Sequence, residues 1–130
     1  MVDAFIADLI TYRVPTTGFT QENCDTENAN YVPELPGFVD TYGNWVCSYA
    51  GTLPSNEEAT HNLFYWMYPT ETDADAPVII WINGGPGASS TFANFLFSSP
   101  LRISESADSV FTMYKSAESW TNLGTVIFID

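Results

Sequence analysis

Residues 78–91 read Val-Ile-Ile-Trp-Ile-Asn-Gly-Gly-Pro-Gly-Ala-Ser-Ser-Thr, and the topology expected for this chain follows from them. Five apolar, mostly β-branched residues, Val78 to Ile82, run into a turn with three glycines, and two serines and the apolar run Phe92 to Phe97 follow. The pattern predicts a buried strand, a tight loop and a helix. Because glycine has no Cβ, the loop backbone can lie directly against a ligand. Amides beside a helix N-terminus would form an anion site.

Two phosphate-binding motifs do not fit this loop. A P-loop needs a Lys after its last glycine, but Ala88-Ser89-Ser90 follows here and no Lys occurs before Lys115. A dinucleotide fingerprint needs Gly or Ala three places beyond Gly87, where Ser90 stands, and Pro86 removes an amide donor. The third interpretation is the glycine-rich turn after strand three of an α/β-hydrolase, which supplies an N–H to the oxyanion of a tetrahedral intermediate.

The segment Asn83 to Ser90 resembles the Asn-Gly-Gly-Pro-Gly-x-Ser-Ser signature of the serine carboxypeptidases. Further stretches resemble that family in the same order: Leu35-Pro36-Gly37, Ser48-Tyr49-Ala50-Gly51, Leu63-Phe64-Tyr65-Trp66, Ser119-Trp120-Thr121-Asn122 and Val126-Ile127-Phe128-Ile129-Asp130. Several motifs in order are more specific than one glycine loop. We therefore expect residues 33–130 to be the N-terminal portion of a serine-carboxypeptidase-like α/β-hydrolase domain, and residues 1–32 a helix and loop segment before it.

The resemblance implies an α/β fold in which an antiparallel hairpin opens the sheet and parallel central strands carry the oxyanion loop and the helix after it. It also implies that the Gly85 amide contributes to the oxyanion hole, and that Asn83 and the Gly84 amide hold the substrate's C-terminal carboxylate. An Asn carboxamide suits that role because it is neutral and donates two hydrogen bonds. In the family the Ser-Asp-His triad comes later than the strand Val126 to Asp130, so no triad residue is expected in this chain.

Three positions depart from the family pattern. Ala88 stands where the family usually has a Cys bonded to a distant part of the chain. The stretch Phe92 to Pro100 contains no acid, although many members carry one there in the network around substrate recognition. Thr52 stands where the family usually has an aromatic residue. The last two departures weigh against efficient carboxypeptidase activity.

Other stretches have simpler local patterns. The aromatic-rich segments Trp45 to Gly51 and Asn62 to Tyr68 predict two strands, joined by the polar stretch Thr52 to His61. Apolar residues at helical spacing predict a short amphipathic helix over residues 2–11, and residues 15–33 are expected to be loop or extended chain. In the helix after the glycine loop, three apolar side chains are expected in the core: Phe92, Phe95 and Leu96.

Three residues with catalytic side chains have structural explanations. A nucleophile elbow needs Gly-x-Ser-x-Gly, but Thr91 stands in the last place after Ser89, so Ser89 and Ser90 are interpreted as helix-capping residues. The only histidine, His61, precedes the oxyanion loop, whereas α/β-hydrolases have the order Ser, Asp or Glu, then His. We expect His61 on the surface of the hairpin.

Composition limits the function classes. A net charge of −13 in 130 residues disfavours nucleic acid and anionic membranes as partners. No run approaches 18 apolar residues, and the N-terminus lacks the basic start and apolar run of a signal peptide. We thus expect no membrane span, and either a trimmed precursor or a chain outside the secretory path, although the resemblance implies a lysosomal, vacuolar or secreted protein. Cys24 and Cys47 fit either one disulfide or two thiols.

Two functions remain open. The first is the N-terminal part of a serine-type carboxypeptidase, which releases C-terminal residues from peptides by acyl-enzyme hydrolysis. The alternative is a non-catalytic subunit with a structural or interaction role in a larger assembly. In either case the remainder of the protein or partner chains would cover the open edge of the sheet. No cofactor or metal is expected, because the acids at Asp73 and Asp75 lack the third ligand and glycine of an EF-hand.

Overall fold

A computed structural model describes residues 24–39, 46–72 and 75–130. The strands are β1 (Phe38–Val39), β2 (Tyr49–Pro54), β3 (Asn62–Tyr68), β4 (Val78–Trp81), β5 (Leu101–Glu105), β6 (Phe111–Lys115) and β7 (Thr125–Ile129). Helix α1 (Ser90–Ala93) continues into a π-helical turn (Asn94–Ser98), and a 3-10 turn (Trp120–Asn122) precedes β7. The predicted mixed α/β class is confirmed. The helix predicted over residues 2–11 lies outside the described residues.

The main sheet has four strands in the order β2-β3-β7-β4. β2 and β3 form the predicted antiparallel hairpin, β3 is also antiparallel to β7, and β7 is parallel to β4. The first hairpin strand was predicted to begin at Trp45, which lies outside the described residues, but β2 begins only at Tyr49. Residues just before Tyr49 face a different neighbour, because the Ser48 carbonyl accepts a hydrogen bond from the Val32 amide at 3.0 Å.

A second sheet of three strands has the order β1-β6-β5. β5 and β6 form an antiparallel hairpin, and β1 is parallel to β6. This hairpin was not predicted, although period-two alternation is present in Leu101-Arg102-Ile103. An ion pair between Lys115 on β6 and Glu71, which follows β3, links this sheet to the main one.

The core lies on both faces of β7. Val126 and Phe128 pack on one face with Tyr68 and Leu101, whereas Ile127 packs on the other with the tyrosines and methionine of the hairpin. A strand buried on both faces is continuously apolar, as Val126 to Ile129 is. The strand that the resemblance implies at Val126 to Asp130 is therefore present as β7, and most of its side chains are buried.

The prediction of a buried strand over Val78 to Ile82, before the glycine loop, was wrong in part. β4 is an edge strand of the sheet, and it ends at Trp81 rather than Ile82. The side chain of Ile80 is 51% exposed and that of Ile82 is 70% exposed. An edge strand has one neighbour only, and among the described residues nothing covers the outer side of these two isoleucines.

The helix after the glycine loop packs on the sheet through small side chains. Ser90, Ala93, Asn94 and Ser98 are buried, because small residues let the helix approach the strands closely. Three apolar residues of this helix were predicted to lie in the core. The prediction was wrong for Phe92, which is 62% exposed, and for Leu96, which is 49% exposed, whereas Phe95 is half-buried against Trp66. The large apolar side chains lie beside the packing face rather than on it.

The two cysteines form a disulfide, which decides between the alternatives left open by the sequence. Cys24 and Cys47 are bonded, with a Cα–Cα distance of 5.8 Å, and both are buried. The Asp25 amide donates to the Tyr49 hydroxyl at 3.1 Å, and Tyr31 forms an isolated bridge with Tyr49. The segment that precedes β1 is thus attached to the first strand of the main sheet.

Candidate functional site

The candidate site lies where β4 and β7 end. Because these two strands are parallel, their carboxyl ends meet at the same edge of the sheet, the usual place for a ligand in α/β proteins. β4 leads into the glycine loop, residues 83–89, and β7 leads into Asp130. A cavity of about 340 Å³ lies between them, lined by Ile82, Asn83, Gly87, Ala88, Ser89, Ser90, Ile129 and Asp130.

The glycine loop has a conformation that requires glycine at two positions. Gly85 has φ +139° and Gly87 has φ +88°, values that residues with a Cβ rarely adopt. A Cβ on Gly85 would also lie 3.1 Å from the Ala88 amide nitrogen. Gly84 differs, because a Cβ there would meet nothing within 4 Å. The peptide bond from Gly85 to Pro86 is cis.

The amides of Gly84 and Gly85 are available to a ligand. Both residues are exposed, and within residues 24–39, 46–72 and 75–130 neither amide makes a hydrogen bond. They lie next to Asn83 in the loop but do not line the cavity itself. The structure therefore brings Asn83 to the cavity and leaves the two predicted amide donors on the exposed loop beside it.

Asn83 is held by both ends of its carboxamide. Its Oδ1 accepts a hydrogen bond from Trp81 Nε1 at 2.6 Å, and its Nδ2 donates to the Ser89 carbonyl at 2.8 Å. An amide nitrogen has two N–H groups, so one donor remains for a ligand in the cavity. The part played by Trp81 was not predicted, although a Trp two residues before a loop Asn offers the donor that this contact needs.

Ser89 and Ser90 both have structural roles, but the capping role predicted for both is confirmed only for Ser89. Ser89 is the N-cap of α1, and its Oγ accepts a hydrogen bond from the Thr91 amide at 3.1 Å. Ser90 is buried; its Oγ donates to the Ile129 carbonyl at 2.5 Å and accepts from the Asn83 amide at 3.1 Å. These contacts join the start of the helix to the end of β7 and to the start of the loop.

The helix N-terminus is not an open anion site, because Asp130 occupies it. The Asp130 carboxylate accepts from the amides of Ser90 and Thr91 at 2.5 and 3.2 Å, and from the hydroxyls of Ser89 and Thr91 at 2.7 and 2.6 Å. Desolvation would raise the pKa of Asp130, but the hydrogen bonds from Thr91, Ser89 and Ser90 hold it below its ordinary value. This role of Asp130 was not predicted from the sequence.

The remaining candidates lie elsewhere or are absent from the described part of the chain. His61 is exposed on the β2–β3 loop, as predicted, with its Nδ1 3.1 Å from the Thr60 hydroxyl. Among the residues that the structure covers, no group of three His, Cys, Asp or Glu side chains is placed to hold a metal ion. None of the described helices has the length and apolar character needed to cross a membrane.

Comparison with known proteins gives a consistent set of relatives. The chain is 35% identical over 109 residues to serine carboxypeptidase S10 family member 2 of Dictyostelium discoideum, an alignment that covers 81% of this chain and 19% of that protein. It is 34% identical over 105 residues to the probable serine carboxypeptidase CPVL of Rattus norvegicus, and this alignment covers 80% of this chain and 20% of that protein. It is 34% identical over 104 residues to the pheromone-processing carboxypeptidase KEX1 of Candida glabrata, and this alignment covers 75% of this chain and 14% of that protein.

These alignments also define the extent of the match. The chain spans about a fifth of the length of the first two relatives and less of the third. Residues 36–130 also match the model of the serine carboxypeptidase family, peptidase S10. That match covers most of the chain and includes β1, the glycine loop and every strand of the main sheet. The chain therefore belongs to the serine carboxypeptidase family.

Proposed function

We propose that this chain forms the N-terminal part of a serine-type carboxypeptidase with an α/β-hydrolase fold, and that its glycine loop binds the C-terminal end of a peptide substrate. One observation carries the proposal: the amides of Gly84 and Gly85 are exposed and unbonded within the described residues, and they follow Asn83 directly in the chain. Together with the remaining N–H of the Asn83 carboxamide, these two amides suit the loop to an anionic ligand.

The three donors would act at different stages of the reaction. Asn83 and the Gly84 amide would bind the substrate's C-terminal carboxylate and so select the last peptide bond. The Gly85 amide would donate to the oxyanion of the tetrahedral intermediate, a contact typically worth about 3 to 4 kcal/mol of transition-state stabilisation. The nucleophile, its acid partner and its base would be supplied outside residues 1–130, in the same protein, and would form and hydrolyse the acyl-enzyme.

The exposed edge of the main sheet supports a larger folded unit. Among the described strands β4 has a paired neighbour on one side only, and Ile80 and Ile82 are largely exposed. A flat apolar edge is an aggregation hazard unless another strand or segment covers it. Since the relatives are about five times as long as the matched segment, we propose that a further strand of the same polypeptide pairs with β4.

The disulfide supports location in an oxidising compartment. Disulfides persist in oxidising compartments and are rare in the cytosol. The buried Cys24–Cys47 bond therefore fits a protein that passes through the secretory path, as a lysosomal, vacuolar or secreted carboxypeptidase would. Fractionation of cells that express the full-length protein tests this location.

The activity is tested with the full-length protein that contains this sequence. The assay measures the release of the C-terminal amino acid from benzyloxycarbonyl dipeptides, with and without a fluorophosphonate inhibitor. We expect release that the inhibitor abolishes. Asn83→Ala should lower kcat/KM about 10- to 100-fold, because a hydrogen bond to a charged group is worth about 1.5 to 3 kcal/mol.

Asn62→Ala is the matched control, since Asn62 is an exposed asparagine on β3, outside the glycine loop. It should leave kcat/KM unchanged. A full-length protein that releases no C-terminal residue from any dipeptide, or an Asn83→Ala variant with wild-type kinetics, would contradict the proposal.

A further inference from the structure

The carboxylate of Asp130 holds together the segment that follows the glycine loop. It accepts four hydrogen bonds from three consecutive residues, two from amides and two from hydroxyls, at 2.5 to 3.2 Å. Asp130 follows the last residue of β7, and its backbone exchanges two hydrogen bonds with Phe64 at 2.9 Å. The backbone of Asp130 is therefore fixed to an inner strand of the sheet, and this fixes the position of its carboxylate.

The effect of Asp130 reaches the loop through two residues. Ser89, held by Asp130 through its hydroxyl, accepts a hydrogen bond from Asn83 Nδ2 through its carbonyl at 2.8 Å. Ser90, held through its amide, accepts from the Asn83 amide through its hydroxyl at 3.1 Å. Both ends of the loop, Asn83 and Ser89, are thus tied to one carboxylate through short hydrogen bonds.

Asp130 also determines where an anion can bind. Its carboxylate already occupies the N–H groups of Ser90 and Thr91 at the helix N-terminus, and it carries the same charge as the ligand. A negatively charged ligand is thereby excluded from the helix N-terminus. The donors left for it are those of Asn83, Gly84 and Gly85.

We propose that Asp130 is a positioning residue, which fixes Ser89 and Ser90 and through them orients Asn83 and the Gly84 amide toward the substrate's terminal carboxylate. This inference rests on the proposed function. It assigns to the end of β7 a part in selecting the free C-terminus of a peptide. It also explains why a carboxylate is tolerated beside a site for anions.

The test compares two substrates in the full-length protein, benzyloxycarbonyl-Phe-Leu and its C-terminal amide. Asp130→Asn is the main variant: all four partners of the carboxylate donate hydrogens, whereas asparagine has one acceptor oxygen in place of two and an NH₂ that cannot accept. We expect the ratio of kcat/KM for the free acid to kcat/KM for the amide to fall about tenfold. A merely structural defect lowers the amount of active enzyme and changes both values by the same factor, so the ratio stays constant.

Two further variants keep the test decisive if Asp130→Asn does not fold. Asp130→Glu retains the charge and should restore part of the ratio. Thr91→Val removes one hydroxyl donor at nearly constant shape and should lower the ratio by a smaller factor than Asp130→Asn. Asp108→Asn, an exposed acid in the β5–β6 turn, is the control and should leave the ratio unchanged. An unchanged ratio in the variants of Asp130 and Thr91 that fold would overturn the inference.

A binding measurement separates this inference from the proposed function. Calorimetric titration of each protein with N-acetyl-leucine and with N-acetyl-leucinamide measures the preference for a carboxylate without any turnover. A wild-type protein that is active, together with an Asp130→Asn variant that keeps the full preference, would overturn the inference alone. A wild-type protein that neither releases leucine nor prefers the carboxylate ligand would overturn the proposed function and this inference together.

Discussion

Breaking the Cys24–Cys47 disulfide should weaken the attachment of the N-terminal segment by a calculable amount. The two cysteines are 23 residues apart in sequence. In the chain-entropy treatment, a cross-link that closes a loop of that length removes about 3.4 kcal/mol of conformational freedom from the unfolded chain at 25 °C. The opening of the region that the bond closes should become more favourable by this free energy.

Hydrogen exchange of the full-length protein measures this opening. At 1.36 kcal/mol per factor of ten, about 3.4 kcal/mol corresponds to a roughly 300-fold faster exchange of protected amides. The amide of Ala50, which donates to the Asn30 carbonyl at 2.8 Å, reports on the contact between the two segments. The variant Cys24→Ala/Cys47→Ala is required, because both cysteines are buried and a reductant reaches them slowly.

The double variant also supplies the control for other disulfides of the protein. Prolonged incubation with dithiothreitol, long enough to reduce the buried bond, should accelerate exchange at Ala50 in the wild type and leave it unchanged in the double variant. The chain-entropy argument is refuted if exchange at Ala50 is equally slow in the wild type and the double variant, both without reductant.

Four further outcomes are expected. Gly124→Ala should destabilise the fold by about 3 kcal/mol in thermal unfolding, since its Cβ would collide with the Pro77 carbonyl between β4 and β7, whereas Gly84→Ala should leave the melting temperature unchanged. Arg102→Lys should cost about 2 kcal/mol in the same measurement, because the guanidinium donates to the carbonyls of Phe97, Ser99, Leu101 and Glu118 and an ammonium cannot span them. Residues 1–130 expressed alone should be insoluble or lack a cooperative thermal transition, owing to the exposed edge of β4; a soluble monomer with a sharp transition would contradict this. The stabilising effect of the Asp130 charge should be fully present above the unfolded-state pKa of about 3.8 and should disappear as the pH falls through the lower folded-state pKa, measured as the stability difference between wild type and Asp130→Asn.

The order of strand, loop and helix could be predicted because it depends on local sequence. The glycines allow positive φ at Gly85 and Gly87, and a run of β-branched residues favours a strand in any context. The capping role of Ser89 is local for the same reason. Asn83 lines the cavity, and the amides of Gly84 and Gly85 are exposed on the loop after it, but the site roles expected for all three are still predictions.

The role of Asp130 could not be predicted because it depends on strand register. Trp81 lies opposite Phe128 in the parallel pair, so two residues further on Asn83 and Asp130 reach the same end of the sheet. Nothing in the sequence near Asp130 indicates that pairing. The exposure of Ile80 depends in the same way on the neighbour of β4, which the local pattern does not identify.

The prediction of which side chains are buried in the helix after the loop failed for a different reason. The spacing of Phe92, Phe95 and Leu96 fits an apolar helix face, and size alone suggests that this face should be buried. The structure instead buries the adjacent face with Ala93 and Asn94, because close approach of the backbone to the sheet requires small side chains. Pattern analysis that weighs hydrophobicity without packing distance favours the wrong face in such a case.

The position of β7 in the main sheet has a consequence for folding kinetics. Among the seven described strands, β7 comes last in sequence but lies between β3 and β4, and it pairs Ile129 with Tyr65 and Thr125 with Val78. Until residues 125–129 have been synthesised, only the β2–β3 hairpin can form within this sheet, and β4 has no partner among the described strands. Pairings between such distant residues close long loops and are slow to form. β4 should therefore remain unpaired with β7 until residues 125–129 have left the ribosome, and chaperones that bind apolar segments should protect it during that time.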